Sequence, residues 1–459
     1  MIQPLVMKFG GSSVAGAAAM STVAGIVAGA AGSRPVLVVV SAMSGVTDSL
    51  VAACAAVRDG GIEEVDLHLA RLETRHLQVV AELFGDTEVA TCLAERVAAS
   101  IDELRGVLRS VAILQELTPR GADRVAAAGE LLSSRIVATL FTEKGLPARW
   151  IDARRAVVTD SSFGAALPDP AATALAAARE IEPAWAAGEV AVTGGFVGAT
   201  AAGITTTLGR GGSDVSAAVL GAALNAAEIQ IWTDVDGMLT ADPRVIPEAQ
   251  PVGRLSFDEA AELAYFGAKV LHPSTILPAV EKNIPVRILN TMRPNSPGSV
   301  ITADAGTDRA LTAIACKRNV TVVNITSTRM LHAHGFLRKV FEVFERHATS
   351  VDVVTTSEVS VSMTLDDDRG LDAIERDLAG FGSVQVERGM AIVSAVGDTL
   401  RTDPSSAVSV IAALGRLPLR MVSQAASRRN VTVVLSDADV PAAMTRLHAA
   451  FFTMAGTRR

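Results

Sequence analysis

The chain is short of cysteine, aromatic residues, blocks of like charge and long apolar runs, and each shortage removes a class of protein. Three cysteines in 459 residues, Cys54, Cys92 and Cys316, are odd in number and scattered without metal-ligand spacing. They argue against a disulfide framework, fit a reducing cytoplasm, and read as inert core residues. The seven histidines form no H-E-x-x-H or other metal set, so no protein-held metal is expected. Aromatics are sparse, with one tyrosine, Tyr265, in a composition rich in Ala and Gly that suits a soluble globular enzyme. The net charge of −8 is spread without a like-charge block or basic stripe, which disfavours nucleic acid and membrane as partners and leaves small molecules. Apolar runs such as Pro35 to Val40 have strand length, and the amino terminus has no basic stretch followed by an apolar h-region, so neither a membrane span nor a signal peptide is expected. Three catalytic signatures are missing as well. No G-x-x-x-x-G-K-[ST] run, no G-x-G-x-x-G opening the first helix and no G-x-S-x-G elbow occurs, which counts against P-loop proteins, dehydrogenases and α/β-hydrolases.

What is present is an alternation. The length suggests two to four domains. Strand-like runs Leu5–Phe9, Val36–Val40, Val190–Thr193, Ile204–Leu208, Ile229–Thr233 and Val286–Leu289 alternate with helical stretches, predicting an open, mostly parallel α/β sheet with helices on both faces over residues 1–295. Residues 48–144 break the rhythm and read as a helical insertion able to cover the mouth of a site. Residues 290–307 collect Pro, Asn, Gly, Ser and Thr as a linker. Beyond it a β-α-β-β-α-β pattern runs twice, which predicts two ferredoxin-like α+β modules, at 308–389 and 390–459. Such modules sense a ligand or hold subunits together; two stabilising modules without a ligand would give the same pattern.

Four segments carry chemistry. Lys8-Phe9-Gly10-Gly11-Ser12-Ser13 ends the first strand, where open α/β sheets bind ligands; the glycines let backbone N–H groups approach an anion, and the serines can cap the next helix. A strand-to-helix turn with a surface lysine explains this segment equally well. Arg210-Gly211-Gly212-Ser213-Asp214 pairs a carboxylate-gripping guanidinium with a helix start at which Ser213 and Asp214 hold N-cap positions, although a plain capped helix is the commoner origin of such a run. Trp232-Thr233-Asp234-Val235-Asp236-Gly237 with Asp242-Pro243-Arg244 can frame a nucleotide, or be a strand and two turns. Gly267-Ala268-Lys269-Val270-Leu271-His272-Pro273 sets a second lysine among small residues. Phosphoryl transfer needs cations and close backbone more than a proton-moving base, and Lys8, Lys269, Asp214 and two glycine turns meet that need.

These segments, with Ser41 to Thr47 and the paired terminal modules, resemble the aspartokinase branch of the amino acid kinase family over essentially the whole chain. The resemblance implies ACT-like terminal modules and transfer of the γ-phosphoryl of ATP, with Mg2+ carried on its phosphates, to the side-chain carboxylate of L-aspartate. It implies that Lys8 and Lys269 stabilise the moving phosphoryl group and Asp214 aligns them. Thr47, Glu130, Arg210, Gly211, Gly212 and Ser213 would bind aspartate. Lys8, Gly10, Gly11, Ser12, Thr233, Asp234, Leu239, Arg244, Lys269 and Val270 would bind ATP. Leu239 stands where the family commonly has a tyrosine, so a hydroxyl hydrogen bond is lost there. An effector site is implied at Met330, Ala333, Phe336, Leu337, Ser350, Val351, Asp352, Ser357 and Glu358, with lysine the expected effector. Threonine stays open because Ala333 replaces a common serine. The modules imply a homodimer or a dimer of dimers, and the length implies a monofunctional enzyme. Two alternatives stand beside this reading: a kinase of the same fold acting on glutamate, N-acetylglutamate, carbamate or a nucleoside monophosphate, and a non-catalytic amino-acid sensor.

Overall fold

The computed structural model describes residues 2–267, 273–306, 309–330, 334–424 and 429–453. The chain divides into two compact units, Met1–Gly237 with His272–Ala303, and Met238–Leu271 with Asp304–Arg459. Residues 238–267, expected within the first domain, therefore pack with the second.

In chain order the first strands are β1 (Leu5–Phe9), β2 (Val36–Val40), β3 (Ala148–Ile151), β4 (Val158–Thr159), β5 (Val190–Gly194), β6 (Val197–Thr200), β7 (Thr205–Thr207) and β8 (Glu228–Thr233). After β9 (Arg254–Ser256) of the second unit come β10 (Val286–Asn290) and β11 (Ser299–Thr302). The first unit's main sheet runs β3-β5-β2-β1-β8-β10-β11. Its pairs are parallel except β10–β11. Every residue of β1, β2 and β5 is buried, as a strand covered by helices on both faces requires. From β1 the chain proceeds to β2 on one side and later returns to β8 on the other, so the strand order reverses at β1 and a crevice opens at its carboxyl end.

The helical stretch is five helices, Val46–Arg58, Ile62–Phe84, Glu88–Leu114, Pro119–Ala126 and Ala128–Glu143. Their apolar faces share one core with β1, β2 and β5 through residues such as Leu50, Leu69, Ile101 and Phe141. Residues 119–143 are long and apolar enough to cross a bilayer, contrary to the expectation from run length; 67% of the apolar 18-residue window within them is buried inside the protein, as in a core helix. A small sheet, β4-β6-β7, stands beside the main one.

The second unit holds β12 (Ala313–Thr326), β13 (Val354–Thr356), β14 (Ser360–Leu365), β15 (Ser383–Val396), β16 (Met421–Ser423) and β17 (Asn430–Ser436). They form one six-stranded antiparallel sheet, β13-β14-β12-β15-β17-β16. The boundary expected between 389 and 390 falls inside β15. That strand and β12 are each 14 residues long, and each serves both modules. The register shifts near Asn319, whose φ is 59°, and Gly389 turns at φ 70°. On one side of this irregularity Val323 and Ile325 of β12 pack with the helices Phe336–Arg346 and Leu371–Leu378. On the other, Ile314 of β12 and Val393 of β15 pack with Val410 and Met444 of the helices Pro404–Leu414 and Val440–His448. The first module is thus inserted in the second, which begins before it and resumes after it.

Candidate active site

Lys8 sits in β1 between Val39 of β2 and Ile231 of β8 and is 8% exposed. Its Nζ lies 2.7 Å from Asp214 Oδ1, which joins the first and second sequence segments across the head of the sheet. A buried ammonium requires such a partner. Gly10 passes close by: a Cβ there would stand 3.6 Å from Lys8 Nζ, and one on Gly11 would stand 3.0 Å from the Ala42 carbonyl oxygen. The serines differ from their expected role. Ser12 and Ser13 lie in a short 3-10 turn, Gly11–Val14, and the following helix, Ala17–Ala31, begins at Gly16 without a side-chain cap. Ser13 is buried instead, with its Oγ 2.7 Å from Thr291 Oγ1 and bonded to the Trp232 carbonyl at 3.3 Å, tying β1 to the chain around β8 and β10.

The second segment turns on glycines. Gly209 and Gly211 adopt φ of 73° and 70°, and Gly211 caps the helix Gly212–Ala223. Ser213 and Asp214 lie inside the first helical turn and are not its caps. The Gly212 and Asp214 N–H groups are engaged by the Gly209 and Gly211 carbonyls at 3.0 and 2.9 Å, so fewer donors face an anion than the sequence suggested. Gly194 and Gly195, which the sequence reading passed over, are essential to the fit. A Cβ on Gly194 would stand 3.0 Å from the Glu130 carbonyl oxygen, and one on Gly195 would stand 2.7 Å from Ser213 Cβ. Two adjacent glycines at the end of an apolar strand were the available signal.

Lys8, Gly11 and Gly209 to Asp214 line a cleft of about 710 Å³ with Ser41 to Gly45, Thr47, Asp48, Glu130, Gly164 and Phe196. Arg210 is exposed at its rim and Thr47 half-buried. Glu130, on an alanine-rich helix that offered either a solvated face or a binding role, is 3% exposed and turned into the cleft wall. Burial pushes its carboxyl up to about 8, against the pull of N–H groups of Ala42 and of its own backbone, and its Oε2 has no hydrogen-bond partner. Asp123 is a second missed carboxylate. It is 2% exposed, accepting from Thr207 N and Gly164 N, both at 3.0 Å, and from Thr207 Oγ1 at 2.7 Å, and so fixes Gly164 in the cleft wall.

On the other side of β1, Thr233 Oγ1 donates to Asp234 Oδ1 at 3.1 Å, and Asp234 is exposed. Asn290 at the end of β10, missed by sequence reasoning, donates to Asp236 Oδ1 at 2.7 Å and accepts from Met292 N at 2.8 Å; Arg293 pairs with Asp236 Oδ2 at 2.6 Å. Gly237 closes this turn at φ 111°. Leu239 and Arg244 belong to the second unit, where the exposed Arg244 guanidinium is held by Asp242 at 2.6 Å. Lys269 and Val270 lie outside the described residues.

In the second unit, the effector segment presents a buried Phe336, a half-buried Met330 and Val351, and exposed Leu337, Ser350, Ser357 and Glu358; Ala333 lies outside the described residues. Asp352 already has partners: Tyr265 Oη donates to its Oδ1 at 2.8 Å, and Lys317 Nζ stands 3.0 Å from its Oδ2 and also pairs with Asp366. Burial works to raise the Asp352 carboxyl, but hydrogen bonds from Asp366, Tyr265 and Lys317 hold it below its ordinary value. Asp366 is pushed up by burial and by Asp352.

A buried lysine paired with a helix-borne aspartate, close-packed glycine turns and a carboxylate-lined cleft at a sheet's reversal point make a site for moving a phosphoryl group onto a small charged molecule. The chain belongs to the amino acid kinase family, whose sequence profile matches residues 3–290, and an ACT-domain profile matches residues 393–451. Within that family it is an aspartate kinase of the aspartokinase branch. It is 40% identical to aspartokinase 3, chloroplastic, of Arabidopsis thaliana, over 97% of this chain and 81% of that one. It is 36% identical to lysine-sensitive aspartokinase 3 of Escherichia coli, over 98% of this chain and all of that one. The structure of E. coli aspartokinase III in complex with lysine and aspartate superposes with a TM-score of 0.83 at 36% identity, covering 98% of this chain and 99% of that chain. The same enzyme in complex with aspartate and ADP gives 0.81 at 35% identity, covering 98% and 100%.

Proposed function

We propose that the cleft holds L-aspartate with its α-ammonium on Glu130 and its α-carboxylate on Arg210, so that the side-chain carboxylate faces the γ-phosphoryl of ATP beside Lys8. A carboxylate oxygen attacks Pγ, the bond from Pγ to the bridging oxygen breaks, and ADP departs with that bond's electron pair, leaving 4-phospho-L-aspartate. The nucleophile is already an anion, so no base is required. Lys8 follows the charge that builds on the phosphoryl oxygens, Asp214 holds it in place, and Lys269 is assigned the second cationic role. Thr47 and the Gly211 to Ser213 turn complete the aspartate side. Gly10, Gly11, Ser12, Thr233 and Asp234 complete the nucleotide side. Magnesium, which neutralises phosphate charge, is assigned to the nucleotide's own oxygens, because no group of three acidic, histidine or cysteine side chains gathers among the described residues. The 2.7 Å Lys8–Asp214 pair in the cleft carries the reading. Aspartate-dependent ADP release with hydroxylamine trapping of the acyl phosphate tests it. Release with aspartate but not with glutamate or N-acetylglutamate is expected, and lysine binding without any turnover would make the chain a sensor.

The second unit is proposed to bind lysine as a feedback effector; the E. coli relative is named as lysine-sensitive. Lys317 Nζ already occupies Asp352, so an effector's ammonium must displace an internal one. A homodimer or dimer of dimers through this unit is supported by the exposed edge strand β13 and by the partly exposed Leu337, Phe341 and Val354. Threonine in place of lysine, in inhibition assays with each alone, tests effector identity. The intracellular setting proposed is the cytoplasm.

A further inference from the structure

A second cavity opens in the first unit on residues of the helix Ala128–Glu143 other than Glu130. It measures about 180 Å³, with Leu104, Leu131 and Leu132 as an apolar floor and Arg124, Arg135, Arg154 and Trp150 around it. A neighbouring hollow of about 300 Å³ shares Arg135 and Trp150 and adds Arg96. None of these residues lines the aspartate cleft.

The charges here do not balance. Arg124 pairs with Glu103, and Arg154 is gripped by Asp152 through bonds of 2.6 and 2.9 Å. Arg135 has neither an ion pair nor a hydrogen bond among the described residues; its guanidinium lies over the Trp150 ring, 3.4 Å from the centroid. That ring is itself fixed, since Trp150 Nε1 donates to Ser134 Oγ at 2.9 Å. Burial, then the nearby charge of Arg96, draw the Arg135 guanidinium below its ordinary value; the charge of Asp152 pulls the other way and Arg154 adds to the lowering, the balance expected of a cation with no carboxylate in direct contact. Three guanidinium groups, Arg124, Arg135 and Arg154, line the 180 Å³ cavity, and the first and last of them are paired with Glu103 and Asp152; Arg135, which both hollows share, and Arg96, in the neighbouring one, are the two guanidinium groups without a carboxylate among the described residues.

We propose that this cavity is a second ligand site, separate from the cleft, and that it takes a small phosphate-bearing dianion with Arg135 as the principal donor. A dianion cancels the excess charge. The planar, stacked guanidinium offers the fork that phosphate oxygens accept. The apolar floor accommodates a short carbon skeleton, and the volume lies below the ~300 Å³ at which larger ligands are taken.

The test is titration calorimetry on the full chain with inorganic phosphate in a low-salt buffer free of other anions, with tryptophan fluorescence read in parallel. Saturable phosphate binding that quenches or shifts the emission is expected. Arg135→Gln should abolish both signals, and Arg135→Lys, which keeps the charge but loses the fork and the stack, should weaken binding by roughly tenfold. Trp150→Phe should keep the calorimetric signal and lose the optical one. Turnover with aspartate in phosphate-free buffer should be unchanged in all three variants. The proposal is overturned if the wild type shows no saturable phosphate binding up to about 20 mM, if Arg135→Gln binds as tightly as the wild type, or if succinate binds as well as phosphate.

Discussion

Two carboxylates expected to meet an ammonium group stand in opposite conditions in the two units. Glu130 in the catalytic unit is buried with an unpartnered oxygen and a carboxyl pushed up to about 8. Asp352 in the regulatory unit is held below the usual carboxylate range by Tyr265, Lys317 and Asp366. In the proposed role of Glu130 the group is preorganised and lacks its counter-ion, so an arriving substrate would supply what the fold withholds. The regulatory group is satisfied, so an effector gains only the difference between its own contacts and the ones it replaces. Tight use of a substrate and tunable response to an effector follow from the same residue type in these two settings.

The largest effect that breaks the comparison is loss of Lys8, the cation proposed to meet the phosphoryl group. Lys8→Ala should lower kcat by at least about a hundredfold, read as aspartate-dependent ADP release, because the phosphoryl group loses its counter-charge and Asp214 its partner. Glu130→Gln comes next. It should raise the KM for aspartate by roughly ten- to a hundredfold, the loss of one charge-assisted contact. In the wild type kcat/KM for aspartate should rise with pH toward about 8 as Glu130 ionises, and the variant should lose that rise. Stability has the opposite sign. A carboxyl raised from 4.5 to about 8 takes up a proton on folding, so its contribution declines as pH climbs through that window, and Glu130→Gln should flatten the decline in chemical denaturation. Lys317→Met, which removes the internal competitor on Asp352, should tighten effector binding by about tenfold in calorimetry. Tyr265→Phe deletes one hydrogen bond to the same carboxylate and should shift inhibition by only about threefold.

The regular parts of both units were legible in the sequence. Leu5–Phe9 and Val36–Val40 form strands over the residues expected, because buried parallel strands appear as unbroken apolar runs. The short strands β3, β4, β6 and β11 escaped, since two to four residues set no period. The long strands β12 and β15 misled for another reason. Their bulge at Asn319 and Gly389 looks like a break between modules, whereas pairing across the sheet carries each strand through it. In the candidate site, Lys8, Asp214 and Arg210, singled out by type and setting, come together at one cleft. Glu130 did not, because its helix faces protein on several sides and an acid among alanines has no period to place it. Gly195, Asp123 and Asn290 act through fit and hydrogen bonds to distant chain, which no local pattern encodes.

The central claim is that the aspartate cleft holds a protonated Glu130 until substrate arrives. Calorimetry of aspartate binding at pH 7, run in two buffers of different ionisation enthalpy, measures it directly, because an ammonium that pairs with Glu130 must drive off its proton. Release of close to one proton per aspartate by the wild type, and none by Glu130→Gln, is the predicted result. Binding by the wild type with no proton released would contradict it.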